Sequence, residues 1–226
     1  MTLFSLNSLI DDIMLIVRNN NISESEDLSR SQIEEWINHY RAMLIKQSID
    51  KGYEPDPCCF QEISPIELEK IPINNIDNPN ANEQDLCPWF KYKTKQSLPK
   101  PVCFHYGNGF ISVTDLHDDT IQEISKTRRH FQWYRKYTNH EYSYYYMPDY
   151  IYVQGPDSLR YIKVTGIFED PTEAGYNPDD QYPIPADMIS TIKQLIFSNE
   201  LKFMLNRPSD DKNDASMSEV KPTENA

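Results

Sequence analysis

Hydrophobic positions change their period twice along the chain. Leu6, Leu9, Ile10, Ile13, Ile16 and Val17 recur at helical spacing behind Ser5 or Asn7 as a cap, predicting a short amphipathic helix. After the polar stretch 19–27, Ser29-Arg30-Ser31-Gln32 has the form of a capping box, whose Gln reaches back to the cap amide. Ile33, Trp36, Ile37, Tyr40 and Leu44 then share one face, so a second helix is predicted to about Ile49, ending before Gly52. Two helices joined by so short a stretch are expected to pack as an antiparallel pair.

Prolines 55, 57, 65, 72, 79 and 88 interrupt the next stretch. Within it only Ser64-Pro65-Ile66-Glu67-Leu68 reads as a short helix, with Ser at the cap and Pro at the first position. The remainder of 53–90 is expected to be an extended connection without a core of its own, pinned by proline.

From Val102 the period becomes two. Val102, Phe104 and Tyr106 alternate before Gly107-Asn108-Gly109, and Phe110 to Thr114 resumes after it, which predicts a hairpin because Gly and Asn tolerate positive φ. Further strands are predicted at 120–124, 129–137, 143–147, 150–153 and 159–168. The helical period returns after Tyr182-Pro183-Ile184-Pro185. There Pro185 suits a first turn, Asp187 complements the helix dipole, and Ile189, Ile192, Leu195, Ile196 and Phe203 form an apolar face. The polar stretch 207–226 lacks aromatic residues and is expected to stay disordered until a partner orders it.

The predicted fold is α+β, with N- and C-terminal helices forming a helical bundle and an antiparallel β domain, a sandwich or barrel, inserted between them. Its parts are an N-terminal helical pair (1–52), a proline-rich connection (53–90), a β-rich insertion (91–181), a C-terminal helix returning to the bundle (182–206) and a flexible tail (207–226). A length of 226 residues fits one such domain with a large insertion. The mean hydropathy of −0.68 and the absence of a long apolar run exclude a membrane span and a secretory signal.

Charge sharpens this division. The net −13 is made of −6 over 1–62, −4 over 63–90, +4 over 91–165, −5 over 166–206 and −2 over 207–226. A basic, aromatic-rich block is thus set between acidic ones. Within it Arg128, Arg129, Arg135 and Lys136 interleave with His130, Phe131, Trp133, Tyr134 and Tyr137, a mixture that can stack on bases and grip phosphates. The overall acidity favours a different reading, in which Phe131, Trp133 and Tyr137 face a core and the cations face solvent or an acidic neighbour, including another copy's helices. The run Tyr142-Ser143-Tyr144-Tyr145-Tyr146 puts tyrosine on both faces of a strand, which suits packing against another protein.

Catalytic chemistry finds little support. Cys58, Cys59, Cys87 and Cys103 are read as reduced thiols, mostly buried, and no CxxC or HxxxH spacing suggests a metal. His117-Asp118-Asp119 follows a strand and reads as a turn. Cys103 and His105 lack an orienting third group, His39 reads as a polar helix residue, and GxSxG, GxGxxG and the P-loop pattern are absent. No catalytic residue, cofactor or metal is expected.

The stretch Ser5 to Ile13 (SLNSLIDDI), followed by Leu28 to Gln47 (LSRSQIEEWINHYRAMLIKQ), resembles virion structural proteins of crAss-like bacteriophages, short-tailed phages of gut Bacteroidales. The plan is also similar to the head-to-tail adaptor, or gatekeeper, proteins of podoviruses, in which a helical bundle carries a β domain. The resemblance implies a ring of about twelve copies in the tail barrel of the virion. Such a ring binds the portal protein above and neighbouring tail ring proteins below, is assembled in the host cytoplasm and passes DNA transiently through its lumen. It assigns Arg128, Arg129, Phe131, Trp133, Tyr134, Arg135, Lys136, Tyr142, Tyr144, Tyr145 and Tyr146 to contacts between subunits or rings, and Arg207, Pro208, Asp210 and Asp211 to the portal. Two other classes fit the residues, a monomeric phage-encoded protein-binding factor and a glycan-binding tail component using Tyr145 with Asp118, Asp119 or Asp149.

Overall fold

The structure, a computed structural model, describes residues 4–19, 28–71, 90–105, 107–125, 127–128, 131, 136–137, 141–155 and 159–202. Three helices and seven strands lie among them: α1 (Leu6–Asn19), α2 (Arg30–Asp50), β1 (Gln61–Lys70), β2 (Phe90–Thr94), β3 (Phe110–Thr114), β4 (Gln122–Glu123), β5 (Ser143–Met147), β6 (Tyr150–Gly155), β7 (Tyr161–Gly166) and α3 (Ala186–Leu195). The fold is α+β, as the change of period predicts.

Local chemistry sets the helix ends. Ser5 Oγ accepts the Ser8 amide at 3.2 Å, so Ser5 rather than Asn7 caps α1. Ser29 Oγ accepts the Gln32 amide at 3.1 Å to open α2, and Gly52, at φ 89°, ends it in the left-handed conformation an L side chain resists. Ser29→Ala should therefore cost about 1 kcal/mol of stability, read as a lower midpoint in urea unfolding. α3 opens behind Pro185 with Asp187 in its first turn, and its end widens into a π-helical turn, Ile196–Leu201.

One apolar core joins the three helices. It takes Leu6, Ile10 and Ile13 from α1, Ile33 and Ile37 from α2, and Ile189, Ile192 and Ile196 from α3 and its extension. The termini are also tied through backbone. Ser5 bridges Gln181, and the Tyr182 amide donates to the Phe4 carbonyl at 2.8 Å.

The strands form one sheet in the order β3-β7-β1-β2-β6-β5-β4. It curls into a nearly closed barrel, because the chain leaves β3 and folds straight back into β4: Thr114 bridges Thr120, and the Ile121 amide donates to Val113 at 2.8 Å. Ile66, Leu68, Tyr92, Val113, Tyr144, Ile151, Val153, Ile162, Val164 and Phe168 fill it.

Three expectations change. Residues 64–68 are not a helix but the middle of β1, where Ile66 and Leu68 point into the barrel and Pro65, lacking an amide to donate, sits at a register shift against β7. Part of the proline-rich stretch thus has a core after all, though 72–89 lies outside the described residues. The hairpin around 107–109 is also replaced: β3 pairs with β7, and Val102 and Gly109 both bond Ile167 instead of each other. Finally, β4 and β5 pair in parallel although every other named pair is antiparallel, because the chain between them crosses back before re-entering the sheet. Of the predicted strand 129–137, residues 129–130 and 132–135 lie outside the described residues; Phe131, Lys136 and Tyr137 fall in helical or turn positions.

Candidate assembly surfaces

The register fixes which end of the barrel meets the helices. Gln61 of β1 pairs with Gly166 of β7, and Phe110 of β3 with the same Gly166, so these residues mark one end. Ile167, Val102 and Cys59 at that end pack with Ile45 of α2. Beside them lies a buried polar joint. Arg41, 0% exposed, donates through Nε to the Pro183 carbonyl and through Nη1 to the Phe168 carbonyl, both at 2.8 Å. The buried Tyr182 hydroxyl donates to Asn38 Oδ1 at 2.6 Å, and Asn38 Nδ2 donates to Asp170 Oδ1 at 3.1 Å. Burial pulls the Arg41 pKa down and pushes that of Tyr182 up. One guanidinium thus fastens α2 to the approach to α3 and to the end of β7.

A cleft of about 750 Å³ opens beside this joint, between α2 and the barrel loops. Its floor carries Asn38, Ala42, Met43 and Val102, and its rim Glu34, Glu35, His39, Lys46, Lys100 and Glu169. Lys100 Nζ pairs with Glu169 at 2.8 Å, while Asp170 is held by Asn38, the Thr172 amide and the Thr172 hydroxyl. Glu34 and Glu35, on adjacent positions of α2, give the rim its acidic side.

The basic block presents a different surface. Arg128 and Lys136 are exposed, Phe131 is 57% exposed and Tyr137 76% exposed, with the Lys136 ammonium 5.4 Å from the centroid of the Tyr137 ring. The expectation that Phe131 and Tyr137 face a core is therefore overturned: no strand carries them, so no pleat turns them inward. Arg129, Trp133, Tyr134 and Arg135 lie outside the described residues, as do Arg207, Pro208, Asp210 and Asp211.

The tyrosine run is spent largely within the subunit. Tyr144 fills the barrel, Tyr145 is buried and stacks on Tyr152 at 5.1 Å, and Tyr146 meets Phe110 edge-on at 5.0 Å. Tyr142 is half-buried, its ring lying over Gly155 where a Cβ would collide with it. The signal for this self-packing was available in the alternation of β6, whose Tyr152 faces Tyr145 in register.

The groups weighed for chemistry take structural parts. Asp115 accepts the amides of His117 and Asp119 at 2.8 and 2.9 Å, making the turn, and Asp118 pairs with Lys163. Burial pushes the Cys58 and Cys59 thiols up, away from thiolate reactivity, whereas Cys103 is exposed, against expectation. Cys87 lies outside the described residues. No helix among the described residues is long and apolar enough to cross a membrane.

No curated protein matches the chain. Residues 8–223 match the model of phage tail ring protein 2, from the helices through the barrel and beyond. The chain belongs to this crAss-like phage tail ring family, and its role is that of a structural component of the virion tail.

Proposed function

We propose that the chain is the subunit of a closed ring that serves as a head-to-tail adaptor of a short-tailed phage. In this reading the ring lies in the tail barrel below the portal and joins it to more distal rings. The tail ring family match across nearly the whole chain carries the reading. The shared core of α1, α2 and α3 supports a helical bundle as the rigid hub of each subunit, with the barrel projecting from it. A net charge of −13 suits a lumen that repels phosphate and lets DNA slide. The tail from Arg207, with Pro208, Asp210 and Asp211, is the segment we assign to the portal. No catalytic step is part of this role.

Native mass spectrometry and negative-stain imaging of the purified chain, alone and with portal protein, test it. The expected result is a ring of about twelve copies, formed alone or templated by the portal. A monomer indifferent to portal and to neighbouring tail proteins would remove the adaptor role.

A further inference from the structure

A closed ring of one kind of subunit needs two different, complementary patches on each copy, because its contacts run head to tail. The structure offers two patches of opposite character. The cleft beside α2 has an apolar floor of Ala42, Met43 and Val102 under a mixed rim whose carboxylates, Glu34 and Glu35 with Glu169 and Asp170, outnumber its cations, Lys46 and the Glu169-paired Lys100. The β4–β5 connection exposes two aromatic rings, Phe131 and Tyr137, beside two cations, Arg128 and Lys136. Its sequence from 125 to 141 holds five basic residues against one acidic, a net +4.

Within one copy the two patches do not meet, since none of Arg128, Phe131, Lys136 and Tyr137 lines the cleft. The cleft lies at the barrel end marked by Gln61 and Gly166. The β4–β5 connection re-enters the sheet at Ser143, which pairs with Gln154; Met147 and Tyr150, at the other end of that hairpin, stand on the helix-facing side. Following the antiparallel registers from β1 through β2 to β6 places Ser143 at the barrel end away from the helices, whereas β4, parallel to β5, leads into the connection in the direction of the helices. Exposed aromatic rings flanked by cations, outside a cleft whose lining includes none of them, suit a donor and an acceptor on neighbouring copies.

We propose that the cleft between α2 and the barrel seats the exposed Arg128, Phe131, Lys136 and Tyr137 of a second copy, and that this contact, repeated around the circle, closes the ring. The inference rests on the ring reading above. A volume of about 750 Å³ lies within the roughly 300–1,000 Å³ of clefts that engulf a drug-sized body, enough for an aromatic side chain and its flanking cation. The Met43 thioether on the floor is a favourable neighbour for an aromatic ring. The carboxylates of Glu34 and Glu35 then meet the incoming Arg128 and Lys136, which steers encounter and sets the register between copies.

A charge-swap series on the full chain tests this, with ring population read by native mass spectrometry under the conditions in which the unaltered chain forms rings. Glu34→Lys with Glu35→Lys should reduce the ring population at least about tenfold, as should Arg128→Glu with Lys136→Glu. The four changes together should restore rings, since the interface is then reversed in sign on both sides. Thermal unfolding of each variant separates lost assembly from lost folding: all three should melt like the unaltered chain. Rings that persist in Glu34→Lys/Glu35→Lys, or a folded fourfold variant that does not recover, overturn the pairing while leaving the ring intact. The same holds if that acceptor variant forms normal rings and loses only its binding to another tail protein, which would make the cleft a site for that protein. A chain that never forms rings, alone or with other tail components, overturns the ring reading and this inference with it.

Discussion

Arg41→Ala is expected to lower the free energy of unfolding by about 3–5 kcal/mol, the range for removing one partner of a buried charged network. Arg41 is fully buried and bonds two carbonyls, those of Pro183 and Phe168, that belong to different parts of the chain. Removing the guanidinium orphans both acceptors, at about 1–3 kcal/mol each, and leaves a cavity against the Tyr182 ring that the guanidinium carbon approaches to 5.7 Å. Part of the cost is returned, since burial already disfavours this charge and its Nη2 has no hydrogen-bond partner among the described residues. Arg41→Lys should recover less than half of the loss, because one ammonium on a flexible stem does not reproduce the fixed fork that holds both carbonyls. Urea unfolding followed by tryptophan fluorescence measures both. A cost below about 1 kcal/mol for Arg41→Ala would mean that the helices and the barrel are not coupled through this residue.

The same joint shows where the sequence stops being legible. The helices are readable because burial against one core imposes a 3.6-residue period, and Ile33, Ile37, Ile189 and Ile192 sit where that period puts them. Strand β5 is predicted with its observed bounds, and Tyr150–Val153 falls within β6, since β-rich tyrosine runs bounded by Pro and Gly admit few alternatives. Arg41, in contrast, sits in a helix as any solvated arginine would, and its burial depends on carbonyls more than 120 residues away. β1 is missed for a related reason. Ser-Pro at a helix start and Pro at a bulge have the same local sequence, and only the pairing with β7 decides between them. The candidate surfaces divide likewise: the basic aromatic block is visible as composition, but the exposure of Phe131 and the acidic cleft exist only once the chain is folded.

Gly109→Ala should cost about 3 kcal/mol, at the upper end of overpacking, while Gly107→Ala two residues away should change stability by less than about 0.5 kcal/mol. Both glycines belong to the Gly-Asn-Gly run that reads as a hairpin turn, where each would be needed for positive φ. The structure gives them different reasons to exist. A Cβ on Gly107 meets nothing within 4 Å. A Cβ on Gly109 would lie 2.6 Å from the Ile167 carbonyl oxygen and 2.7 Å from that of Val102, both backbone atoms. Neither can step aside cheaply, because the Val102 amide donates to Ile167 at 2.9 Å and the Ile167 amide donates to Gly109 at 2.8 Å. Making room means breaking one of these bonds at the barrel end where Val102 and Ile167 also pack against Ile45 of α2. The damage should therefore spread to the helices. Amide exchange in Gly109→Ala should quicken at Ile167 and along the second half of α2, while the β2–β6 pairing of Phe90 with Gly155, at the barrel end away from the helices, keeps its protection. Equal stability of the two alanine variants would show that the close backbone approach at Gly109 is absent in solution and that the run acts as the simple turn its sequence suggests.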